Sequence, residues 1–187
     1  MKYFKKITGD KVYLSPINSD DYLKYTEWLN DYDIAKGVNQ YVNMITINGE
    51  HEWLEKAMNE KYNFAIVTTN DDLLIGNISL MNVNEIDKTA ELGIFIGDKN
   101  YHSSGYGSEA IKLILNYGFN HINLNNIMLS VYSFNIGAIK AYEKCGFKTF
   151  GIWKESHYFD GEYHDEIYMN IMKDNFNKNI KCKKLYK

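Results

Sequence analysis

The chain has 187 residues, 45% of them apolar and 24% charged, which fits about one ordinary globular domain whose core needs neither metal nor disulfide. Its 21 basic residues are all lysines and stand against 24 acids, a net charge of −3, which argues against the basic face of a general nucleic-acid binder. Cys145 and Cys182 form no metal-ligand pattern, no apolar run approaches the ~18 residues of a membrane span, and residues 1–10 lack a signal peptide's apolar core, so a cytoplasmic chain with free thiols is expected.

Residues 11–14 alternate and read as a short strand that Pro16 stops. Asn18, Ser19, Asp20 and Asp21 offer N-caps for a helix running to about Asn30. A second helix starts near Asn48, with Trp53, Leu54 and Ala57 expected on one face. Residues 64–67 and 73–80 read as strands, with a turn at Asp71 and Asp72. Residues 89–96 form another, whose alternation puts Ala90, Leu92, Ile94 and Ile96 on one face and Glu91, Gly93 and Phe95 on the other.

Residues 105–120 then read as a helix that packs Ala110, Ile111, Ile114 and Leu115 inward. A strand over 127–132 leads to a helix over 135–145, which Gly146 closes in the position where a left-handed residue is wanted. Residues 147–153 and 163–172 make a final strand pair, joined by a turn within 159–162. The order predicts one α/β (α+β) domain over 1–176, a mixed sheet flanked by helices. Residues 177–187 read as a lysine-rich solvated tail. Residues 173–187 carry six lysines and one aspartate, about +5, leaving about −8 for the rest. An acidic body suits a cationic amine partner; solvated helix acids explain it equally well.

The most informative stretch is His102-Ser103-Ser104-Gly105-Tyr106-Gly107-Ser108, where a strand runs through a glycine-containing loop into an amphipathic helix. Glycines let a ligand approach the backbone, and a helix N-terminus presents N–H groups to an anion. Such a pyrophosphate cradle needs no arginine. It lacks the third glycine of a dinucleotide fingerprint and the Gly-Lys-Ser/Thr ending of a P-loop. A second pattern is Asn135, Ala138, Tyr142, Gly146 and Phe147. Asn135 is a good N-cap, Ala138 permits close packing, and Tyr142 lies two turns after Asn135 on the same helical face.

The first stretch resembles motif A of the GNAT acetyltransferases, [Gln/Arg]-x-x-Gly-x-[Gly/Ala], with His102 at the Gln/Arg position. The second resembles motif B, Asn-x-x-Ala-x-x-x-Tyr-x-x-x-Gly-Phe. Ser108-Glu109-Ala110 and Tyr117-Gly118-Phe119 are similar to the branch of ribosomal-protein N-terminal acetyltransferases, and residues 155–172 are similar to that branch and to polyamine acetyltransferases. The resemblance covers about 11–174. It implies a mostly antiparallel sheet with a splayed strand pair at the cofactor.

It also implies acetyl-CoA as acyl donor, with no metal. The donor would be held by Leu92, Ile94, Phe95, Ile96, His102, Ser103, Ser104, Gly105, Tyr106, Gly107, Ser108, Asn135, Ala138 and Tyr142. Tyr142 would act as general acid toward the departing thiolate, with core aromatic as its other reading. Glu91 would take the amine proton through water, with exposed strand acid as its other reading. Tyr132 and Ser133 would line the acceptor side. The partners implied are coenzyme A and a small-molecule or peptide amine, with neither nucleic acid nor membrane, and a homodimer is compatible. The alternative function is a non-catalytic acyl-CoA-binding module.

Overall fold

The computed structural model describes residues 2–179. Cys182 and residues 180–187 of the lysine-rich stretch lie outside them. The strands are β1 (Ile7–Thr8), β2 (Val12–Pro16), β3 (Asn63–Thr68), β4 (Leu74–Asn84), β5 (Thr89–Ile96), β6 (Asn126–Tyr132), β7 (Lys148–Phe159) and β8 (Glu162–Met172). The helices are α1 (Tyr22–Leu29), α2 (Tyr32–Ala35), α3 (Ile47–Ala57), α4 (Tyr106–Asn120), α5 (Ile136–Cys145) and α6 (Lys173–Asn179). Among the described residues no helix is long and apolar enough to cross a membrane.

Two compact units divide the chain: 2–79 with 94–113, and 80–93 with 114–179. In the first, β1, β2, β3 and the start of β4 are neighbours in that order, all antiparallel. Its core gathers Ile17, Tyr25, Trp28, Ile34, Leu54 and Ala57, with Phe95 against them. In the second, the order is β5-β6-β8-β7, and the β5–β6 pair is parallel. That pair covers only Thr89–Glu91 against Asn126–Met128, while β6 stays paired to β8 through Tyr132. Strand β5 thus leaves β6 after Glu91, the splay that the resemblance implies.

The elements depart from the sequence expectation in ways that have local causes. Strand β1 has two residues, too few to show alternation. Helix α2 has one turn, started by the Asp31 carboxylate, which accepts from the N–H groups of Asp33 and Ile34. Trp53 is 45% exposed, not inward; the buried row of α3 is Glu50, Leu54 and Ala57, so an acid occupies the position where periodicity asks for an apolar residue. Strand β7 continues to Phe159 because a register shift between Trp153 and His157, with Glu155 in the left-handed region, interrupts its alternation without ending its pairing. Helix α6 is polar except for Phe176, which is 1% exposed and packs its ring 5.2 Å from that of Phe119.

Glu50 has a thermodynamic consequence. It is 4% exposed, and among the described residues neither its Oε1 nor the buried hydroxyl of Tyr25 has a hydrogen-bond partner. Burial pushes its pKa up from 4.5 to about 7. The folded state therefore binds more protons than the unfolded state between these values, and stability falls as pH rises from about 4.5 to about 7. Glu50→Gln keeps the shape and removes the buried charge. The variant is expected to melt close to the parent at pH 4.5 and above it at pH 8, by on the order of 3 kcal/mol, or roughly 5–10 °C. Thermal melts at the two pH values check this, and an equal shift at both would mean that the charge is not the cause.

Candidate active site

In the first unit, the chain leaves β5 and forms a short 3-10 turn, Lys99–Tyr101, capped by the Asp98 carboxylate on the Asn100 N–H. Ser103 (φ 56°) and Gly105 (φ 87°) then adopt left-handed conformations directly ahead of α4. Left-handed residues at these positions turn successive N–H groups to one side, the geometry of an anion nest. The first N–H groups of an α-helix point out of its N-terminal end, ahead of the intrahelical ladder. The intrahelical ladder starts at Glu109, whose N–H donates to Gly105 O at 3.0 Å. A Cβ at Gly105 would have only the Lys11 ammonium within 4 Å, at 3.6 Å, and one at Gly107 would meet the Ile96 and Ile94 side chains at 3.6 and 3.9 Å.

The structure therefore places Ser103, Ser104, Gly105, Tyr106, Gly107 and Ser108 in one continuous loop and helix start, with Ile94 and Ile96 beside Gly107. His102 is turned elsewhere: its Nε2 donates to Ile96 O at 2.8 Å. Phe95 packs its ring against Trp28 and Tyr25, at 5.7 and 6.3 Å between centroids, so only its backbone is available to a ligand. Lys11, which sequence reasoning passed over, donates from Nζ to Ser104 O at 2.8 Å. The acids of the first helical region are largely committed. Asp21 is buried against the Tyr3 hydroxyl and Lys2, and the Lys99 ammonium contacts Asp31 at 2.8 Å and Asp33 at 3.3 Å; Lys99 holds the Asp31 carboxyl below its ordinary range, and Lys36, then Lys99, do so for Asp33. Asp33 also pairs with Lys36. These acids lend little free charge to attract an amine.

In the second unit, the Asn135 carboxamide caps α5, accepting from the Ala138 N–H at 3.2 Å. Gly146, at φ 100°, closes the helix by donating to Glu143 O and Tyr142 O, as the glycine position implied. Tyr142 is buried in this helix at 9% exposure. Burial, with a smaller contribution from the Cys145 thiol, pushes its phenol up to about 12, so it is fully protonated at neutral pH. It packs edge-on to Phe147, 6.0 Å between centroids. Both the Asn135 cap and the Tyr142 packing fulfil the plain structural roles these residues can have.

Glu91 is half-buried on β5, at the last position paired with β6. Its Oε2 accepts from Asn82 Nδ2 at 3.1 Å. Asn82 sits in β4 at φ 50°, a left-handed residue inside a strand, and nothing in its local sequence signalled that role. The Tyr168 hydroxyl donates to Glu166 at 3.0 Å, and burial, then that bond and carboxylate, then the Glu91 charge raise its pKa. Leu92 is buried, and Tyr132 stacks on His157 with ring centroids 3.9 Å apart. Ser133 is held by Asp165, whose O accepts from the Ser133 N–H at 2.9 Å and whose N–H donates to Ser133 Oγ at 3.2 Å. Among the described residues no group of three or more His, Cys, Asp or Glu is arranged to hold a metal ion.

Known proteins give the same picture. The family model described as Acetyltransferase (GNAT) domain matches residues 11–148. The chain is 34% identical over 122 residues to the probable N-acetyltransferase YjcK of Bacillus subtilis, a match spanning 65% of this chain and 66% of that protein. It is 33% identical over 103 residues to a spermidine N(1)-acetyltransferase of Vibrio cholerae, spanning 55% of this chain and 59% of the relative. A crystal structure of spermidine N-acetyltransferase from Vibrio cholerae, in complex with CoA and spermine, superposes with a TM-score of 0.78 over 89% of this chain and 98% of that one; at 24% identity this likeness concerns the fold. With the glycine loop, the splayed strand and the capped tyrosine helix all inside or bordering the matched range, the chain belongs to the GNAT acetyltransferase family.

Proposed function

We propose that the chain, as one domain over 1–176 followed by a lysine-rich stretch, transfers an acetyl group from acetyl-CoA to a primary amine by direct attack on the thioester. The observation that carries this is the loop from Ser103 to Gly105, whose two left-handed residues open onto the N-terminus of the fifteen-residue helix α4. That arrangement offers backbone donors to a pyrophosphate in a chain without arginine. The backbone of residues 102–108, with the Ser103, Ser104 and Ser108 hydroxyls, would hold the pyrophosphate, the backbone of residues 92–96 the pantetheine and acetyl oxygen, and Asn135, Ala138 and Tyr142 the thioester end.

Chemistry then needs three things: a neutral amine, a donor for the tetrahedral oxyanion, and a proton for the thiolate. Glu91, fixed by Asn82, takes the amine proton through water. The amine lone pair forms the C–N bond, the oxyanion accepts a backbone N–H of the splayed strand, and the C–S bond breaks with its electrons on sulfur. Tyr142 donates its phenolic proton to that sulfur. Its pKa of about 12 keeps the proton in place until a thiolate forms beside it.

A small cationic amine is the proposed acceptor. Support comes from the spermidine acetyltransferase relative and from Glu91, Glu166 and Tyr168 lying together in the second unit. Thiol release from acetyl-CoA, measured against polyamines, aminosugars and peptides with free N-termini, tests the reading. Polyamines or other small amines are expected to be turned over well above the hydrolysis background. Turnover of peptides alone would overturn the acceptor assignment, and background release with every amine would leave an acyl-CoA-binding module.

A further inference from the structure

A pyrophosphate carries two negative charges, and backbone N–H groups answer them only with partial positive charge. Arginine is absent from the chain, so a full cation at the loop must come from lysine or histidine. His102 occupies the position nearest in sequence, but its Nε2 is engaged with Ile96 O at 2.8 Å. Lys99 stands in the same loop, yet its ammonium lies between Asp31 and Asp33 at 2.8 and 3.3 Å, and these bonds raise its pKa. Its charge is already matched.

Lys11 differs. It comes from the far end of the sequence, just before β2, and its exposed side chain crosses to the glycine loop. Its Nζ donates to Ser104 O at 2.8 Å and lies 5.3 Å from the Tyr106 ring centroid. A Cβ on Gly105 would be 3.6 Å from the ammonium, which places the charge beside the residue whose missing side chain opens the loop. The stem is anchored by its own backbone. Glu109, in the first turn of α4, accepts from the N–H groups of Lys11 and Val12 at 2.7 and 3.2 Å. This clasp occupies Glu109 Oε1 with two backbone donors and fixes Lys11 against the helix start. One carbonyl satisfies one of the three ammonium protons, leaving two for another acceptor.

We propose that Lys11 is the cation that pairs with the pyrophosphate of the acyl donor, supplying the full charge that the arginine-free loop lacks. The assignment rests on the acetyl-CoA reading given above. Lys11→Met keeps the stem and removes the charge; Lys11→Arg keeps the charge. Calorimetry is expected to show acetyl-CoA binding weakened by about 5–30-fold in Lys11→Met, the usual worth of one exposed charge-assisted contact, and by less than about threefold in Lys11→Arg. The loss should be the same for acetyl-dephospho-CoA, which keeps the pyrophosphate and lacks the 3′-phosphate. It should shrink at high salt, where the parent loses the same attraction.

S-acetylpantetheine, which has no phosphate, supplies the structural control. Its kcat/KM should fall at least fivefold less in Lys11→Met than that of acetyl-CoA. An unchanged acetyl-CoA affinity overturns the proposal. So does an equal loss with S-acetylpantetheine, which would reduce Lys11 to a tie between Ser104 and the strand. A loss confined to donors bearing the 3′-phosphate overturns the pyrophosphate assignment. Failure of the parent protein itself to bind acetyl-CoA would instead strike the functional reading on which this one rests.

Discussion

Tyr142→Phe is expected to fold and bind acetyl-CoA as the parent does while kcat falls by about 10²–10⁴, the usual worth of a positioned acid. The ring that packs beside Phe147 is retained, and only the hydroxyl is lost. The loss should fall on kcat more than KM, because the bond to sulfur strengthens only as the C–S bond breaks. Since burial holds the phenol at about 12, the parent's rate should show no alkaline limb from Tyr142 below about pH 10. Where product release limits turnover, single-turnover measurements isolate the chemical step. A chemical step at parental speed in Tyr142→Phe would make the tyrosine a packing residue and hand the proton to water or another group.

Gly105→Val is expected to weaken acetyl-CoA binding by about tenfold to a hundredfold. Two effects contribute. At φ 87° a β-branched residue is strained, costing about 1–2 kcal/mol in the loop geometry. Its methyl groups would also stand beside the Lys11 ammonium, in the space opened by the missing side chain. Gly105→Asn separates the two effects, since asparagine tolerates the left-handed region. Calorimetry on the folded variants should find Asn between glycine and valine. Parental affinity in both would remove this loop from the site.

The elements of the proposed cofactor site were legible in sequence because their features are local. A strand, a glycine loop and an amphipathic helix follow one another directly between Thr89 and Asn120, and the Asn135 cap and Gly146 bound their helix by short-range rules. The turn at Asp160 and Gly161, with φ of 52° and 87°, was likewise marked by its residues. Lys11 and Asn82 were not legible. The first reaches Ser104 across 93 positions of sequence, and the second reaches Glu91 only because β4 holds a left-handed residue in mid-strand. Trp53 misled: its spacing predicts one face with Leu54 and Ala57, and the fold leaves it 45% exposed while Glu50 is buried in that row. The committed ion pairs of Asp31 and Asp33 also weaken the argument from net charge, because their acids are spent on Lys99 and Lys36.

The central claim is direct transfer from thioester to amine, and one single-turnover experiment tests it. The protein is mixed with a stoichiometric amount of acetyl-CoA and an excess of spermidine, and amine, free thiol and intact protein are followed together by mass spectrometry and thiol titration. The expected result is one acetyl group on the amine for each thiol released, with the mass of the protein unchanged throughout. Thiol release without an acetylated amine, or an acetyl group appearing on the protein before it reaches the amine, would contradict the account.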